Sequence, residues 1–325
     1  MATIKKLTLK LKSGLLTELH SDTIFGHFAW RFKEQQGDEK LEEFLNLFLN
    51  RQPVFTLSDG LFEKNEKIFF PKPLKLSPPL FENENKKQRI KSFIKQKESK
   101  SRKLVTLDEM NLYLNGKLVE FEKVLSGTDS KDFPKFEENL RVSVEIDRES
   151  FQSKEGQLFS YNPKHLDDDT FIIILIKIIN EQKWNEYNCE KILKSVFEIG
   201  YGKKKSSGYG QFEVIGELED FNEFKEPDES NGFVSLSHYL PANDDKIKDA
   251  YYEINVKYGK LGEDKSGSQN PFKKPLLLMK PGSCFITDVQ KEYFGRVTNN
   301  GEITDYLPKT IQNGFAFSLD CNFRQ

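Results

Sequence analysis

The hydrophobic and polar positions in the first fifty residues follow two different periods. Leucines alternate with lysine or threonine between residues 7 and 11, which predicts a strand with one buried face. Apolar residues then recur at i, i+3, i+4 and i+7 between residues 25 and 32, and again between residues 41 and 48. This spacing predicts two amphipathic helices, and Ser21 with Asp22 is the expected N-cap pair of the first helix.

Alternation returns in the middle of the chain. Residues 140–147 predict a second half-buried strand, and the β-branched run at 171–176 predicts a strand that is buried on both faces. Apolar positions within 189–196 predict a third helix, and Phe212 and Val214 mark a last strand. The order of strand, helix, strands, helix and strand is that of the split β-α-β unit of a ferredoxin-like or RRM-like domain.

These elements predict an α+β protein with two ferredoxin-like (RRM-like) domains. The first domain covers residues 1–216 and carries a long insertion at about 71–139, where periodicity is weak and we expect no contribution to the core. Residues 217–231 form an acidic linker, with seven acids and one lysine between positions 217 and 229. Residues 232–325 alternate almost throughout, which predicts a second, β-rich domain.

Composition narrows the class of protein. The chain has 325 residues, of which 37% are hydrophobic and 28 are phenylalanine, enough to build two cores. Its three cysteines form no C-x-x-C pair, which argues against a disulfide framework or a structural zinc site and favours a reducing cytoplasm. The apolar run at 171–176 is far too short to span a bilayer. We therefore expect a cytoplasmic protein with no metal, no cofactor and no membrane partner.

The net charge of −2 hides one strongly basic stretch. Between residues 86 and 105 there are nine lysines or arginines and one acid, so that Lys86, Lys87 and Arg89 open a segment suited to a phosphate backbone. Taken alone, such a run is more often an ordinary solvated segment.

A glycine-rich loop is the most informative segment for chemistry. Four glycines bracket three lysines and two serines at positions 200–210. Glycine allows the backbone to approach a ligand, so that amide N–H groups can point at phosphate oxygens. Tyr201 and Tyr209 are placed to stack on bases. The spacing is not that of a mononucleotide P-loop, and a flexible, solvated hairpin remains the alternative interpretation.

Four motifs along the chain carry a resemblance to a known family. The loop has the form G-x-G-x-x-x-x-x-G-x-G and follows the last predicted helix of the first domain, as in the RAMP superfamily of CRISPR RNA-binding proteins. Residues 21–28 (S-D-T-I-F-G-H-F), 69–73 (F-F-P-K-P) and 146–148 (I-D-R) are similar to segments of the Csm-type subunit of type III-A effector complexes. In one departure, Gly202 is followed directly by lysine, where related loops often have a further Gly-Gly.

The resemblance implies a non-catalytic subunit that binds the repeat-derived 5′ tag of the CRISPR RNA. Such a subunit contacts target RNA near the tag, and it links the large polymerase-like subunit to the adjacent RAMP backbone subunit of an antiviral complex. The insertion would be a thumb that enters the guide–target duplex. The residues expected to bind RNA are Gly200, Gly202, Lys203, Lys204, Lys205, Ser206, Ser207, Gly208 and Gly210 of the loop, Ser21, Asp22 and Phe25 of the first helix, and Arg148, Lys86, Lys87 and Arg89.

Two other functions fit the sequence. His20 follows the first strand, where RAMP endoribonucleases place a general base, so the chain is alternatively a metal-independent ribonuclease that processes CRISPR RNA. No partner for His20 is evident in the sequence, and a catalytic role is the weaker interpretation. A third hypothesis is a protein-interaction subunit whose glycine loop only docks a neighbouring subunit.

Overall fold

The computed structural model describes residues 2–75, 102–127, 133–260, 272–298, 301–305 and 310–324. The helices are α1 (Ser21–Gln36), α2 (Asp38–Leu49), α3 (Leu107–Leu114), α4 (Leu118–Gly127), α5 (Glu181–Glu186) and α6 (Cys189–Glu198). The strands are β1 (Thr3–Leu11), β2 (Phe55–Leu57), β3 (Leu61–Lys64), β4 (Lys67–Pro71), β5 (Leu104–Thr106), β6 (Glu137–Glu138), β7 (Arg141–Ile146), β8 (Ser153–Tyr161), β9 (Lys164–His165), β10 (Thr170–Ile178), β11 (Phe212–Asp220), β12 (Gly232–Ser235), β13 (Asp249–Tyr251), β14 (Ile254–Lys257), β15 (Leu276–Met279), β16 (Cys284–Ile286) and β17 (Ser318–Cys321).

The first half contains an antiparallel sheet in the order β11-β1-β10-β3-β4-β5, with β2 also pairing with β10. The strand after α6 therefore lies beside β1, and β10 lies between β1 and the strands that follow α2. This is the order of the split β-α-β unit. It confirms the ferredoxin-like fold predicted for the first half.

The second half contains a four-stranded sheet in the order β13-β16-β12-β17. Counted along the chain, these strands lie in the spatial order second, third, first, fourth. The corresponding strands of the first half, β3, β10, β1 and β11, lie in the same order. No α-helix connects them among the described residues after position 220. Instead β14 and β15 pair as a separate hairpin. The prediction of a second ferredoxin-like half that is rich in β-structure is confirmed.

Strand β10 separates two hydrophobic cores. Ile172 and Ile174 face the first core, which α1, α2, α5 and α6 cover. Ile173 and Leu175 face a second core that also receives Val234 of the second sheet. The strand is thus buried on both faces, as its continuous β-branched run predicts.

The later part of the predicted insertion belongs to the second core. Met110, Tyr113 and Phe121 of α3 and α4 are fully buried there. Thr106 and Glu109 form a capping box that starts α3. This capping box marks the helix start in a segment where the hydrophobic periodicity is weak. The segment therefore differs from the expectation of a loop outside the core. Lys86, Lys87 and Arg89 lie outside the described residues.

The predicted acidic linker begins inside a strand. β11 continues to Asp220, and Phe221 then enters the second core with 2% of its surface exposed. The boundary at 217–231 stays a prediction. In the described part of the chain, no helix has the length and apolarity needed to cross a membrane.

Candidate nucleic-acid interface

The glycine loop at 200–210 is a closed and internally anchored structure. The Tyr201 N–H donates to the Gly210 carbonyl at 2.9 Å, which joins the two ends of the loop. Gly210 N–H in turn donates to the Gly14 carbonyl at 2.9 Å, and Lys203 N–H donates to the Thr17 hydroxyl at 2.9 Å. These bonds fasten the loop to the segment that joins β1 to α1, so it is not the freely solvated hairpin of the alternative interpretation.

Most of the loop glycines are required by the loop itself. A Cβ at Gly210 would lie 2.0 Å from the Tyr201 carbonyl oxygen, and one at Gly202 would lie 2.5 Å from the Thr17 side chain. Gly208 differs, because a Cβ there meets nothing within 4 Å although its φ is +85°. The close backbone approach that the sequence suggested is therefore intramolecular at Gly202 and Gly210. Gly208 is the position that faces open space.

The cationic side chains of the loop point outward. Lys203 and Lys204 are exposed, and so are the hydroxyls of Ser206 and Ser207, whereas Lys205 is half-buried in a short 3₁₀ turn. Ammonium and hydroxyl groups on one rigid turn can donate to several phosphate oxygens at once. The arrangement suits a polyanion that lies across the loop.

Tyr201 does not have the role that the sequence suggested. Its ring is fully buried in the first core, and its hydroxyl donates to the Glu18 carbonyl at 2.9 Å. Burial raises the pKa of Tyr201 well above its ordinary value. No face of the ring is left for a base, so the prediction of stacking at this position is wrong.

The hairpin of β7 and β8 stands beside the loop with an exposed apolar surface. The sequence predicted a half-buried strand here, but the alternating apolar positions meet no core. The large apolar residues exposed on the hairpin are Val142, Val144, Ile146, Phe151, Leu158 and Phe159. Arg148 lies in the connecting turn, where the Asp147 carboxylate accepts from the backbone N–H groups of residues 149 and 150 at 2.9 Å. The I-D-R motif thus forms the tip of a projecting hairpin.

Loop and hairpin meet through one cation and two tyrosines. Lys204 Nζ lies 3.7 Å from the centre of the Tyr161 ring, which is a close cation–π contact. Tyr209 packs edge-on against Tyr161, with ring centres 5.6 Å apart. Hydrogen bonds from Ser143 and Tyr209, together with the Lys204 charge, lower the pKa of Tyr161. The exposed lysines and the apolar hairpin therefore form one continuous surface, which we call the loop–hairpin surface.

The predicted site residues of α1 lie elsewhere and are buried. Phe25 is 3% exposed in the first core, which leaves no surface of its side chain for RNA. Ser21 is the first residue of α1, and its N–H donates to Asp59 Oδ1 at 2.9 Å. The anion at this helix N-terminus is therefore a carboxylate of the protein itself, and the predicted RNA contact is corrected at all three positions of α1.

Asp22 forms a bond between the two halves of the chain. Its carboxylate accepts from Lys257 Nζ at 2.5 Å and from the Gln312 amide. The Asp22 side chain is fully buried, and the Lys257 side chain is 20% exposed. The aspartate of the S-D-T motif thus neutralises a lysine of the second half, whereas the sequence suggested a helix cap.

His20 has partners that the sequence did not reveal. Its ring lies 4.0 Å from that of His238, and its Nε2–H donates to Glu18 Oε2 at 2.9 Å. His238 Nδ1–H donates to Asp59 Oδ2 at 2.6 Å. Burial alone would raise the pKa of Asp59, but the charge and hydrogen bond of His238 lower it to about 2. Sequence reasoning missed this group because Asp59 and His238 are 179 positions apart.

Solved structures of CRISPR complexes contain chains that are similar to this one over nearly its whole length. A chain of the Csm3–Csm4 subcomplex of the type III-A CRISPR-Cas interference complex shares 17% identity with a TM-score of 0.62, over 98% of this chain and 99% of that one. Chains of the Csm1–Csm4 cassette with pppApA and with AMPPNP share 15% and 14% identity, with TM-scores of 0.62 and 0.64 and 100% coverage of both chains. The chain has the fold of these CRISPR subunits.

The likeness in fold confirms the architecture that the four sequence motifs implied. Csm4 is the component that all three complexes share. The sequence matches no protein-family model and no curated protein.

Proposed function

We propose that this chain is an RNA-binding RAMP subunit of a type III-A CRISPR effector complex, and that it holds the 5′ tag of the CRISPR RNA without cleaving it. The observation that carries the proposal is the loop–hairpin surface, where Lys203 and Lys204 are exposed on an anchored turn beside an exposed apolar hairpin. A single-stranded RNA needs cations for its phosphates and apolar or aromatic faces for its bases. Both are present here side by side.

The fold supports the same proposal. Chains with this fold occur in complexes of Csm4 with Csm3 and of Csm4 with Csm1. By analogy, we infer that this chain contacts a backbone RAMP subunit and a large subunit, and that target RNA passes near the tag. Affinity purification of the tagged native protein should bring down a large subunit, a second RAMP subunit and CRISPR RNA.

Retention of labelled repeat RNA by the purified chain tests the RNA-binding proposal. We expect binding without cleavage, and we expect the variant in which Lys203, Lys204 and Lys205 are all replaced by alanine to bind much more weakly. The matched control replaces Lys40, Lys117 and Lys191, three exposed lysines outside the loop, and should bind like the parent. Equal RNA binding by the parent and the loop variant would show that the RNA-binding site is not in the loop.

The ribonuclease alternative keeps one specific observation in its favour. His20 is paired with Glu18 and its ring packs at a tilt against that of His238, and two histidines with a carboxylate are a known acid–base combination. Against it, His238 and Asp59 are buried, with 3% and 6% of their surfaces exposed. Cleavage of repeat RNA by the parent chain, lost in the His20→Asn variant, would establish that the chain is a ribonuclease. Uncleaved, retained RNA supports the proposed binding role.

A further inference from the structure

Three side chains from separate segments converge where the two halves of the chain meet. His20 precedes α1, Asp59 follows β2, and His238 follows β12. Each offers a nitrogen or oxygen ligand atom, and these atoms lie within 4.8 Å of one another. Histidine and carboxylate in this number are the ligand set of many zinc sites.

Neighbouring groups orient each of the three side chains. Asp59 Oδ1 accepts from the backbone N–H groups of Ser21 at 2.9 Å and His238 at 3.1 Å, which leaves Oδ2 to face the histidine. Glu18 Oε2 accepts from His20 Nε2 at 2.9 Å, so that Nδ1 of the same ring carries a lone pair. Outer partners of this kind fix the ring tautomer and the direction of the ligand atoms in metal sites.

We propose that His20, Asp59 and His238 form a binding site for a divalent metal ion of the zinc type, which would fasten the first half of the chain to the second. Imidazole ligands favour zinc, cobalt or nickel over magnesium or calcium, which prefer oxygen. Three protein ligands leave a fourth position for water.

The local charges suit a cation. Lys257 lies close to this group, but Asp22 neutralises it at 2.5 Å. When the metal is bound, both histidines are neutral and Asp59 is ionised, so one carboxylate and two imidazoles face the ion. Buried charges of this kind are stabilised by coordination.

Metal binding requires two small rearrangements. His238 Nδ1 and Asp59 Oδ2 are 2.6 Å apart with a proton between them, whereas two ligands of a tetrahedral zinc ion stand about 3.3 Å apart. The ion therefore replaces that proton, and the Asn255 amide, 2.9 Å from His238 Nε2, turns over to accept a hydrogen bond. The His20 ring moves away from its tilted contact with the His238 ring; its side chain is 20% exposed, so it has room to turn.

Metal titration of the untagged, metal-free full-length protein tests the site. We expect one Zn²⁺ per chain by equilibrium dialysis, a rise in melting temperature with Zn²⁺, and visible absorption from four-coordinate Co²⁺. His20→Asn and His238→Asn should each abolish the stoichiometric binding. Glu18→Gln, which removes only an outer partner, should weaken binding by about 10- to 100-fold.

The chain offers a matched control among its four histidines. His165 pairs with Glu137 in the β6–β9 ladder and is not one of the three clustered side chains, and His165→Asn should bind Zn²⁺ like the parent. If His238→Asn fails to fold, His20→Asn, at a position whose side chain is 20% exposed, still decides the question. No Zn²⁺ binding by the folded parent at excess metal, or binding that His20→Asn leaves unchanged, would overturn the proposal.

Discussion

The glycine loop and the N-terminus of α1 carry similar sequence signals but differ in what their charged groups contact. In the loop, hydrogen bonds of the backbone hold the shape, and the Lys203 and Lys204 side chains stay exposed. At the start of α1, the Asp22 carboxylate pairs with Lys257, and the Ser21 N–H donates to Asp59. A charged motif can therefore serve either a ligand or the junction between two halves of a chain, and burial separates the two cases.

The largest effect should follow from breaking the junction at Asp22. Asp22→Asn leaves the Lys257 ammonium without its buried partner, and loss of one member of such a pair costs about 3 kcal/mol of the free energy of unfolding. Urea denaturation measures this loss. The double variant Asp22→Asn/Lys257→Met should recover most of it, because the Lys257 charge is removed together with its partner. A double variant as unstable as the single one would show that the ion pair is not the cause.

The next effect compares two glycines of the loop. Gly210→Ala places a Cβ 2.0 Å from the Tyr201 carbonyl, whereas Gly208→Ala meets nothing within 4 Å, and both positions have positive φ. The shared backbone strain costs about 1 to 2 kcal/mol, so the excess loss in Gly210→Ala reports the steric clash alone. We expect Gly210→Ala to be clearly the less stable variant in thermal denaturation. Equal losses would contradict the closed loop geometry.

A smaller effect should appear where the loop meets the hairpin. Tyr161→Ala removes the ring that holds the Lys204 ammonium, and we expect tag RNA to bind about two- to five-fold more weakly, in line with the roughly 0.5–1 kcal/mol of an exposed cation–π pair. Tyr161→Phe keeps the ring and should bind like the parent. Fluorescence anisotropy with labelled tag RNA measures both. A loss in Tyr161→Phe as large as in Tyr161→Ala would assign the effect to the hydroxyl.

Local patterns predicted the fold correctly where the apolar positions of a single helix or strand show which of its faces is buried. The run at 171–176 and the stripe at 25–32 predicted β10 and α1 because continuous or periodic apolar positions require a core on fixed faces. The same reasoning failed for β7, whose alternation is regular although Val142 and Ile146 remain 57% and 59% exposed. Alternation shows which residues share a face, and it does not show what covers that face.

The candidate sites were predictable to different degrees for a related reason. The glycine loop is continuous in sequence, so its cations and its glycines could be recognised together. The His20–Asp59–His238 group depends on the packing of the two halves, and its members come from three distant segments. No local spacing connects them. Partners of this kind become visible only when the tertiary structure brings their elements together.

The salt dependence of RNA binding tests the central claim most directly, that the exposed lysines of the loop bind the phosphates of the tag. Each phosphate of a single-stranded RNA that the protein neutralises adds about 0.7 to the steepness of the plot of log K against log salt. The variant with Lys203, Lys204 and Lys205 replaced by alanine loses the two exposed lysines and should therefore have a slope that is shallower by about 1.4 units, while the control at Lys40, Lys117 and Lys191 keeps the parent value. An unchanged slope and affinity in the loop variant would contradict the account, and would favour a loop that docks a protein subunit.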